Sequence, residues 1–327
     1  MEKQYRQLRP YQGVILLLLS LVVIFWISPL LSIRLGLYGT FLGELLLLGL
    51  SVLVVVAFGG SLRANLPIRK PTAAGVFGTI LLWLGTFMGV MILTLAITAA
   101  FPQEMMGTSS ALGEAFTSVP FLLSMFIVAI TPAICEEAVF RGVVLHSFKP
   151  LRSKWLIIVL TGIIFGAFHG SIWRFVPTAL LGMMLGYLMM ETDNMVYNGL
   201  FHCINNAVPI ILLYAVQGVY AGMSTGDMTS EMDSMSILAL GVYVMYGAVI
   251  PFSIYVGNYL IHRGVPGYRQ KLFPSGKPWI IILLILLTAA FILAGLIVIV
   301  VALVSQPGIL EETMDNIARS AGSVIFG

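Results

Sequence analysis

The sequence predicts an all-α, polytopic transmembrane helix bundle of about nine spans, with eight as the alternative count. Of the 327 residues, 59% are hydrophobic and only 9% are charged, and the mean hydropathy is +1.01. An ordinary soluble domain carries about 25% charged residues, so this chain has too few charges to cover a surface in water. Over long apolar runs only helices satisfy every backbone polar group inside lipid.

Nine apolar segments are candidates for these spans, since a spanning helix needs about 20 mostly apolar residues. The fifth and sixth are short, which leaves a tilted or re-entrant arrangement open there. In chain order the predicted spans are Val14–Ile33, Leu37–Phe58, Thr72–Phe101, Pro120–Leu145, Trp155–His169, Phe175–Met190, Met195–Val216, Ile237–Ile261 and Trp279–Val304.

The charges between the spans predict that the N-terminus is cytoplasmic. Basic residues mark the cytoplasmic side of a membrane protein, and nine spans place every basic segment on one face. The link at 191–194 falls on that face without a basic residue of its own. The net charge of +3 gives no indication of a nucleic-acid partner. The basic residues concerned are Lys3, Arg6, Arg9, Arg63, Arg69, Lys70, Lys149, Arg152, Lys154, Arg263, Arg269, Lys271 and Lys277.

Charged residues at bilayer depth are costly, and three of them stand together in the fourth span. Glu137 and Arg141 are four residues apart, so they share one helix face and are predicted to pair. Glu136 points elsewhere and has no basic neighbour at helical spacing. A carboxylate without a partner in a dry site can act as a base. The alternative is that all three residues form a structural ion network.

Two histidines also lie at bilayer depth. His169 ends the fifth span after a run of small residues that allows close helix packing. His202 and Asn206 are four apart on the seventh span and could donate two hydrogen bonds to one developing negative oxygen. Taken singly, each is as well explained by a buried histidine or a polar clamp between helices. The unpaired Glu136 in a neighbouring span shifts the interpretation toward catalysis.

Three further residues receive structural interpretations. Glu44, in the second span, is expected to pair with Arg34 across a short turn, with a functional role as the alternative. The cysteines Cys135 and Cys203 each lie within an apolar stretch, and their number and spacing do not suggest a disulfide framework or a metal site. We expect both to be packing residues.

At these polar positions the sequence resembles the CPBP family of intramembrane proteases, which includes CAAX-processing and bacteriocin-related endopeptidases. The family pattern reads E-E-x-x-x-R, then F-x-x-x-H, then H-x-x-x-N. The three pieces occur here in that order on separate spans, within about residues 118–216, as Glu136-Glu137…Arg141, Phe165…His169 and His202…Asn206.

The resemblance implies hydrolysis of a peptide bond within the membrane plane. Glu136 would deprotonate a water that His169 helps to position. His202 and Asn206 would stabilise the tetrahedral oxyanion. Zinc is the alternative way to activate that water, with Glu136, His169 and His202 as its ligands. Because H-E-x-x-H is absent, we favour water activation by glutamate without an obligatory metal.

These observations divide the chain into three parts. Residues 1–117 are N-terminal support helices, 118–216 a catalytic core of four helices, and 217–327 an outer loop with two C-terminal spans and a tail. The expected substrate is a membrane-associated or lipid-modified peptide or a lipoprotein, cleaved in a bacterial cell membrane. A non-catalytic immunity or chaperone protein, binding a peptide in the same cavity, is the alternative function. A transporter is disfavoured because the sequence shows no pseudo-symmetric halves.

Overall fold

The structure is a computed structural model that describes residues 7–220, 231–263, 265 and 267–305. Within these residues the regular elements are all helical, and eight helical segments are long and apolar enough to cross a membrane. The prediction of an all-α polytopic bundle is therefore confirmed, with the lower of the two span counts. The charges of the first six residues, of 221–230 and of the tail from 306 onward lie outside the described residues.

The described helices number eleven, apart from a four-residue turn at Leu62–Asn65. A short 3₁₀ turn, Gly247–Val249, joins the ninth and tenth into one candidate span, Ile237–Arg263. They are α1 (Pro10–Leu35), α2 (Leu37–Ala57), α3 (Ala73–Ala100), α4 (Pro102–Thr117), α5 (Phe121–Leu151), α6 (Lys154–Phe168), α7 (Ile172–Thr192), α8 (Met195–Tyr220), α9 (Glu231–Tyr246), α10 (Ile250–Arg263) and α11 (Trp279–Ser305).

The count differs from nine because of α6. This helix has 15 residues, so at 1.5 Å per residue it is roughly 22 Å long, shorter than the ~30 Å hydrocarbon core. The next helix, α7, has 21 residues and extends beyond both ends of the predicted sixth span, Phe175–Met190. The acidic segment after α3 forms the additional helix α4, which the hydropathy pattern does not mark because many of its residues are polar and exposed.

The fourth span, α5, lies at the centre of the bundle. In the 18-residue stretch of α5 with the highest hydropathy, 56% of the residues are buried, whereas in the corresponding stretch of α11 only 11% are buried. Helix α5 packs against α1, α2 and α8. Two π-helical turns, Met125–Ile130 and Ala138–Val144, flank the segment that carries the acidic doublet. Such turns re-aim side chains and are frequent at functional sites.

Close packing of α6 on α7 fixes the position of His169. A Cβ atom added at Gly162 would lie 2.4 Å from Cγ of Met183, and one at Gly166 would lie 2.7 Å from the carbonyl oxygen of Phe175. Only glycine allows the two backbones to come this close. The small residues of α6 therefore place the end of this short helix directly against α7.

Several of the predicted basic loops share one end of the bundle. Asp193, at the end of α7, forms ion pairs with Arg69, His146 and Lys149. The hydrogen bond from His146, together with the charge of Lys149, holds the pKa of Asp193 well below its usual value. Neighbouring loops thus supply the basic residues that the link at 191–194 lacks. That this end faces the cytoplasm stays a prediction.

Candidate active site

The second carboxylate of the doublet, Glu137, is fully buried and holds three hydrogen bonds. Its Oε1 accepts from Arg141 Nη1 at 2.9 Å, as the four-residue spacing predicts, and from His202 Nδ1 at 2.9 Å. Its Oε2 accepts from Asn198 Nδ2 at 3.3 Å. Because every one of these partners is at most 4% exposed, Glu137 is the anchor of a polar network that joins α5 to α8.

Arg141 extends this network to α6 and α7. Its Nη2 donates to the carbonyl oxygen of Gly182 at 3.0 Å, and its guanidinium lies 4.2 Å from the ring centroid of Phe165. The same phenyl ring packs edge-on between two imidazoles, with centroid distances of 4.8 Å to His169 and 5.8 Å to His202. Phe165 therefore positions both histidines.

The first carboxylate, Glu136, lies outside this network. Its Oε2 atom is buried and has no hydrogen-bond partner within the described part of the chain. The closest ion-pair contact is with His202, whose Nε2 lies 3.9 Å away. At this separation the two side chains do not form a direct hydrogen bond. Glu136 is thus the member of the doublet that is available for chemistry.

The hydrogen-bond partners assign a tautomer to each of the two histidines. His202 Nδ1 faces a carboxylate oxygen, and His169 Nδ1 lies 2.9 Å from the carbonyl oxygen of Phe165. Both of these oxygens accept hydrogen bonds, so each Nδ1 carries the proton. In the neutral ring the Nε2 atom of His169 is an acceptor. The Nε2 atom of His202 becomes a donor only when that ring is an imidazolium.

Two cavities meet at His169. The larger, of about 180 Å³, lies between α1, α2 and α5 and includes Glu136 and His169 in its wall. The smaller, of about 60 Å³, is bordered by His169, His202 and Asn206. The four predicted catalytic residues therefore line two cavities that share His169, with Glu136 at the larger and His202 and Asn206 at the smaller.

Asn206 keeps one amide hydrogen available. Its Nδ2 donates to the carbonyl oxygen of Val128, in the first π turn of α5, at 3.1 Å. That bond fixes the orientation of the amide, and a side-chain amide has two donor hydrogens. The second hydrogen can be donated to a ligand in the smaller cavity.

Zinc activation of the water stays an alternative prediction. Glu136 Oε2 and His202 Nε2 are 3.9 Å apart, whereas two ligands at about 2.0–2.2 Å from one tetrahedral zinc ion are roughly 3.3–3.6 Å apart. Among the described residues no three His, Cys, Asp or Glu side chains are grouped as metal ligands, so no chemical step is derived through a metal.

Some residues at the site escaped the sequence analysis. Asn198 precedes His202 by four residues, so the polar repeat 198, 202, 206 along α8 was the signal that could have revealed it. Arg174 borders the smaller cavity from α7, and no sequence pattern singled it out. The pairing of Glu44 with Arg34 is wrong: Arg34 is exposed, whereas Glu44 is buried and faces the larger cavity. Helix rotation, which packing decides, points the two residues apart.

Cys135 and Cys203 are both free cysteines, and their role as packing residues stays a prediction. Cys135 is buried beside the acidic doublet, and Cys203 is half-buried on α8 beside His202. Neither sulfur takes part in the hydrogen-bond network of the site.

Residues 118–208 match the family model of the Rce1-like, type II CAAX prenyl endopeptidases. The resemblance to CPBP-family proteases is thereby confirmed for this segment. Comparisons with curated proteins and with solved structures give no match.

The Rce1-like segment contains the acidic doublet, both histidines and Asn206. It begins just before α5 and ends within α8, so it includes the helices whose contacts build the polar network. The match indicates an intramembrane endopeptidase of the CAAX type in a multi-pass membrane protein. Helices α1 and α2, which form the outer wall of the larger cavity, lie outside it.

Proposed function

We propose that this protein is an intramembrane endopeptidase that hydrolyses a peptide bond of a membrane-associated or lipid-modified peptide by a glutamate-activated water. The observation that carries the proposal is the buried Oε2 atom of Glu136, which has no hydrogen-bond partner among the described residues and lies 3.9 Å from Nε2 of His202. A purely structural ion network would leave no carboxylate oxygen of the doublet without a partner.

In the working state that we propose, His202 is an imidazolium. Its Nδ1 donates to Glu137, as a carboxylate holds the catalytic imidazole in hydrolases. Its Nε2–H is then available as a second donor.

In this state the two cavities have different roles. Glu136 and Nε2 of His169 are both acceptors at the larger cavity, so they suit the two hydrogens of one water. His202 Nε2–H and the free amide hydrogen of Asn206 are donors at the smaller cavity and suit a developing oxyanion. The scissile carbonyl would lie between the cavities, with its carbon toward the water and its oxygen toward the donors.

The proposed reaction then needs one proton carrier. Glu136 takes a proton from the water as the water oxygen attacks the carbonyl carbon, which produces a tetrahedral oxyanion between His202 and Asn206. When the C–N bond breaks, Glu136 returns that proton to the leaving amine nitrogen. One water is consumed, and a carboxylic acid and an amine are formed.

A cleavage assay with matched glutamine variants tests this function. The full chain, in liposomes, is given a synthetic library of farnesylated and unmodified membrane peptides, and products are identified by mass spectrometry. The wild type should cleave a subset of the library. Glu136→Gln should reduce the rate by about 10²–10⁴-fold or more, since it removes the general base. Glu114→Gln, on the exposed surface of α4, is the control and should match the wild type.

The outcomes separate the competing functions. Cleavage by Glu136→Gln at the wild-type rate would exclude the mechanism. Binding of library peptides without any cleavage by the wild type would favour the non-catalytic immunity or chaperone function. Cleavage of the farnesylated members alone would assign the substrate to the prenylated class.

A further inference from the structure

A buried carboxyl group outside the Rce1-like segment faces the proposed catalytic base. Glu44 lies on α2 and is only 9% exposed, and its Oε2 atom is buried without a hydrogen-bond partner in the described part of the chain. It lines the larger cavity together with Glu136 and His169. An unpartnered acid in this position is costly unless something binds it, and the catalytic mechanism above does not use it.

The walls of the cavity indicate the kind of group that could bind there. Apolar side chains from α1, α2 and α5, namely Val23, Leu47 and Phe140, form much of its surface. None of the lining residues is a lysine or an arginine. An apolar wall that ends in two carboxyl groups suits a side chain with a methylene stem and a cationic head.

We propose that α1 and α2 form a substrate pocket in which Glu44 binds a lysine or arginine side chain close to the scissile bond. This inference rests on the proposed function. The stem of that side chain would pack on the apolar wall. Its cationic head would supply the missing partner of the buried carboxyl group, which offsets the cost of burying each charge. The N-terminal helices would then determine specificity, while the Rce1-like segment carries the chemistry.

Position supports a direct role in substrate selection. Glu44 lines the larger cavity, whereas His202 and Asn206 border the smaller one. A side chain held by Glu44 therefore leaves the oxyanion donors free.

Competition between matched peptides measures the role of Glu44. Peptides from the cleaved library are resynthesised with lysine, arginine, leucine or glutamate at each of the four positions around the cleaved bond. At one position the wild type should prefer lysine or arginine over leucine by about tenfold or more in kcat/KM, as expected for a close buried charge pair. Glu44→Gln should lose most of that preference, and Glu44→Lys should shift it toward glutamate. Glu114→Gln should retain the wild-type ratio.

A binding measurement tests the pocket without any peptide cleavage. Butylammonium carries an apolar stem and a cationic head, whereas n-butanol has the same stem and no charge. Butylammonium should raise the Tm of the detergent-solubilised wild type more than n-butanol does. In Glu44→Gln this difference between the two probes should be strongly reduced, because only the carboxyl group of Glu136 is left among the described lining residues.

The two experiments distinguish failure of the pocket from failure of the proposed function. If the wild type cleaves peptides and Glu136→Gln does not, but the lysine preference is absent or survives in Glu44→Gln, the pocket is wrong and the protease stands. Equal stabilisation of wild type and Glu44→Gln by butylammonium also overturns the pocket. A charge-dependent shift that Glu44→Gln abolishes supports the pocket even where no library peptide is cleaved.

Discussion

Nδ1 of His202 lies 2.9 Å from Oε1 of Glu137, so the second carboxyl group of the acidic doublet orients the ring that faces the first. The sequence spacing pairs Glu137 with Arg141 alone. In the folded chain Glu137 holds both the arginine on its own helix and the histidine on α8. The doublet therefore divides its work between a carboxylate that supports the site and a carboxylate that is available to react.

The amide of Asn206 should matter for the rate more than for folding. Asn206→Ala removes one proposed oxyanion donor, and loss of a single donor typically costs about 10²–10³-fold in kcat. Asn258→Ala is the matched control, because Asn258 accepts a hydrogen bond from Tyr187 and lines neither cavity. Single-turnover cleavage rates of both variants check the prediction. A wild-type kcat in Asn206→Ala would remove this residue from the mechanism.

Removal of one member of the Glu137–Arg141 pair should destabilise the protein more than removal of both, because a single substitution leaves one buried charge without its partner. Arg141→Met leaves a buried carboxylate without its main partner, and we expect a loss of about 3–5 kcal/mol in unfolding free energy. The double variant Glu137→Gln/Arg141→Met should recover part of that loss, since no buried charge is left unpaired. Unfolding in detergent micelles measures both.

Activity should separate from stability in the same double variant. Glutamine at 137 carries no charge, so it cannot stabilise an imidazolium at His202, and cleavage should stay strongly reduced although the fold is restored. A double variant that is both stable and as active as the wild type would show that Glu137 has no part in positioning His202.

Metal removal should leave the reaction unchanged. The proposed mechanism uses Glu136 to activate water, so dialysis against EDTA and 1,10-phenanthroline should preserve the cleavage rate in liposomes. Elemental analysis of the treated protein establishes whether zinc is gone. A loss of activity that added Zn²⁺ restores would replace the glutamate mechanism with a metal-dependent one.

Acid should weaken the ion pairs at the end of α7. Because hydrogen bonding from His146 lowers the pKa of Asp193, its carboxylate contributes stability that is fully present above the unfolded pKa of about 3.9. That contribution is lost as the pH falls through the lower folded value. The Tm of wild type should therefore exceed that of Asp193→Asn at neutral pH, and the difference should shrink progressively below about pH 4. A difference that grows on acidification would contradict this assignment.

Asparagine is the suitable replacement at this position. The backbone of Asp193 has a φ of 45°, in the left-handed region that Asp and Asn both tolerate. The variant therefore removes the charge without adding backbone strain, and any pH-dependent change in Tm reports the ion pairs with Arg69, His146 and Lys149.

The sequence alone determined the membrane class and the contacts within single helices. Apolar composition excluded a soluble domain, and helical periodicity paired Glu137 with Arg141 and placed His202 and Asn206 on one face. Both inferences depend only on properties of the local chain, because one helical turn fixes which residues are neighbours whatever the rest of the protein does.

Tertiary structure decided what each helix face meets. The contact between His202 and Glu137, the unpartnered state of Glu136 and the position of Glu44 beside it all depend on how α2, α5 and α8 are rotated about their axes. Packing sets that rotation, through close contacts such as Gly43 of α2 against Ser28 of α1 and Gly199 of α8 against Ala133 of α5, and through the π turns of α5. No single-helix pattern encodes it. For the same reason the sequence paired Glu44 with Arg34, whereas the fold turned it toward the proposed catalytic water.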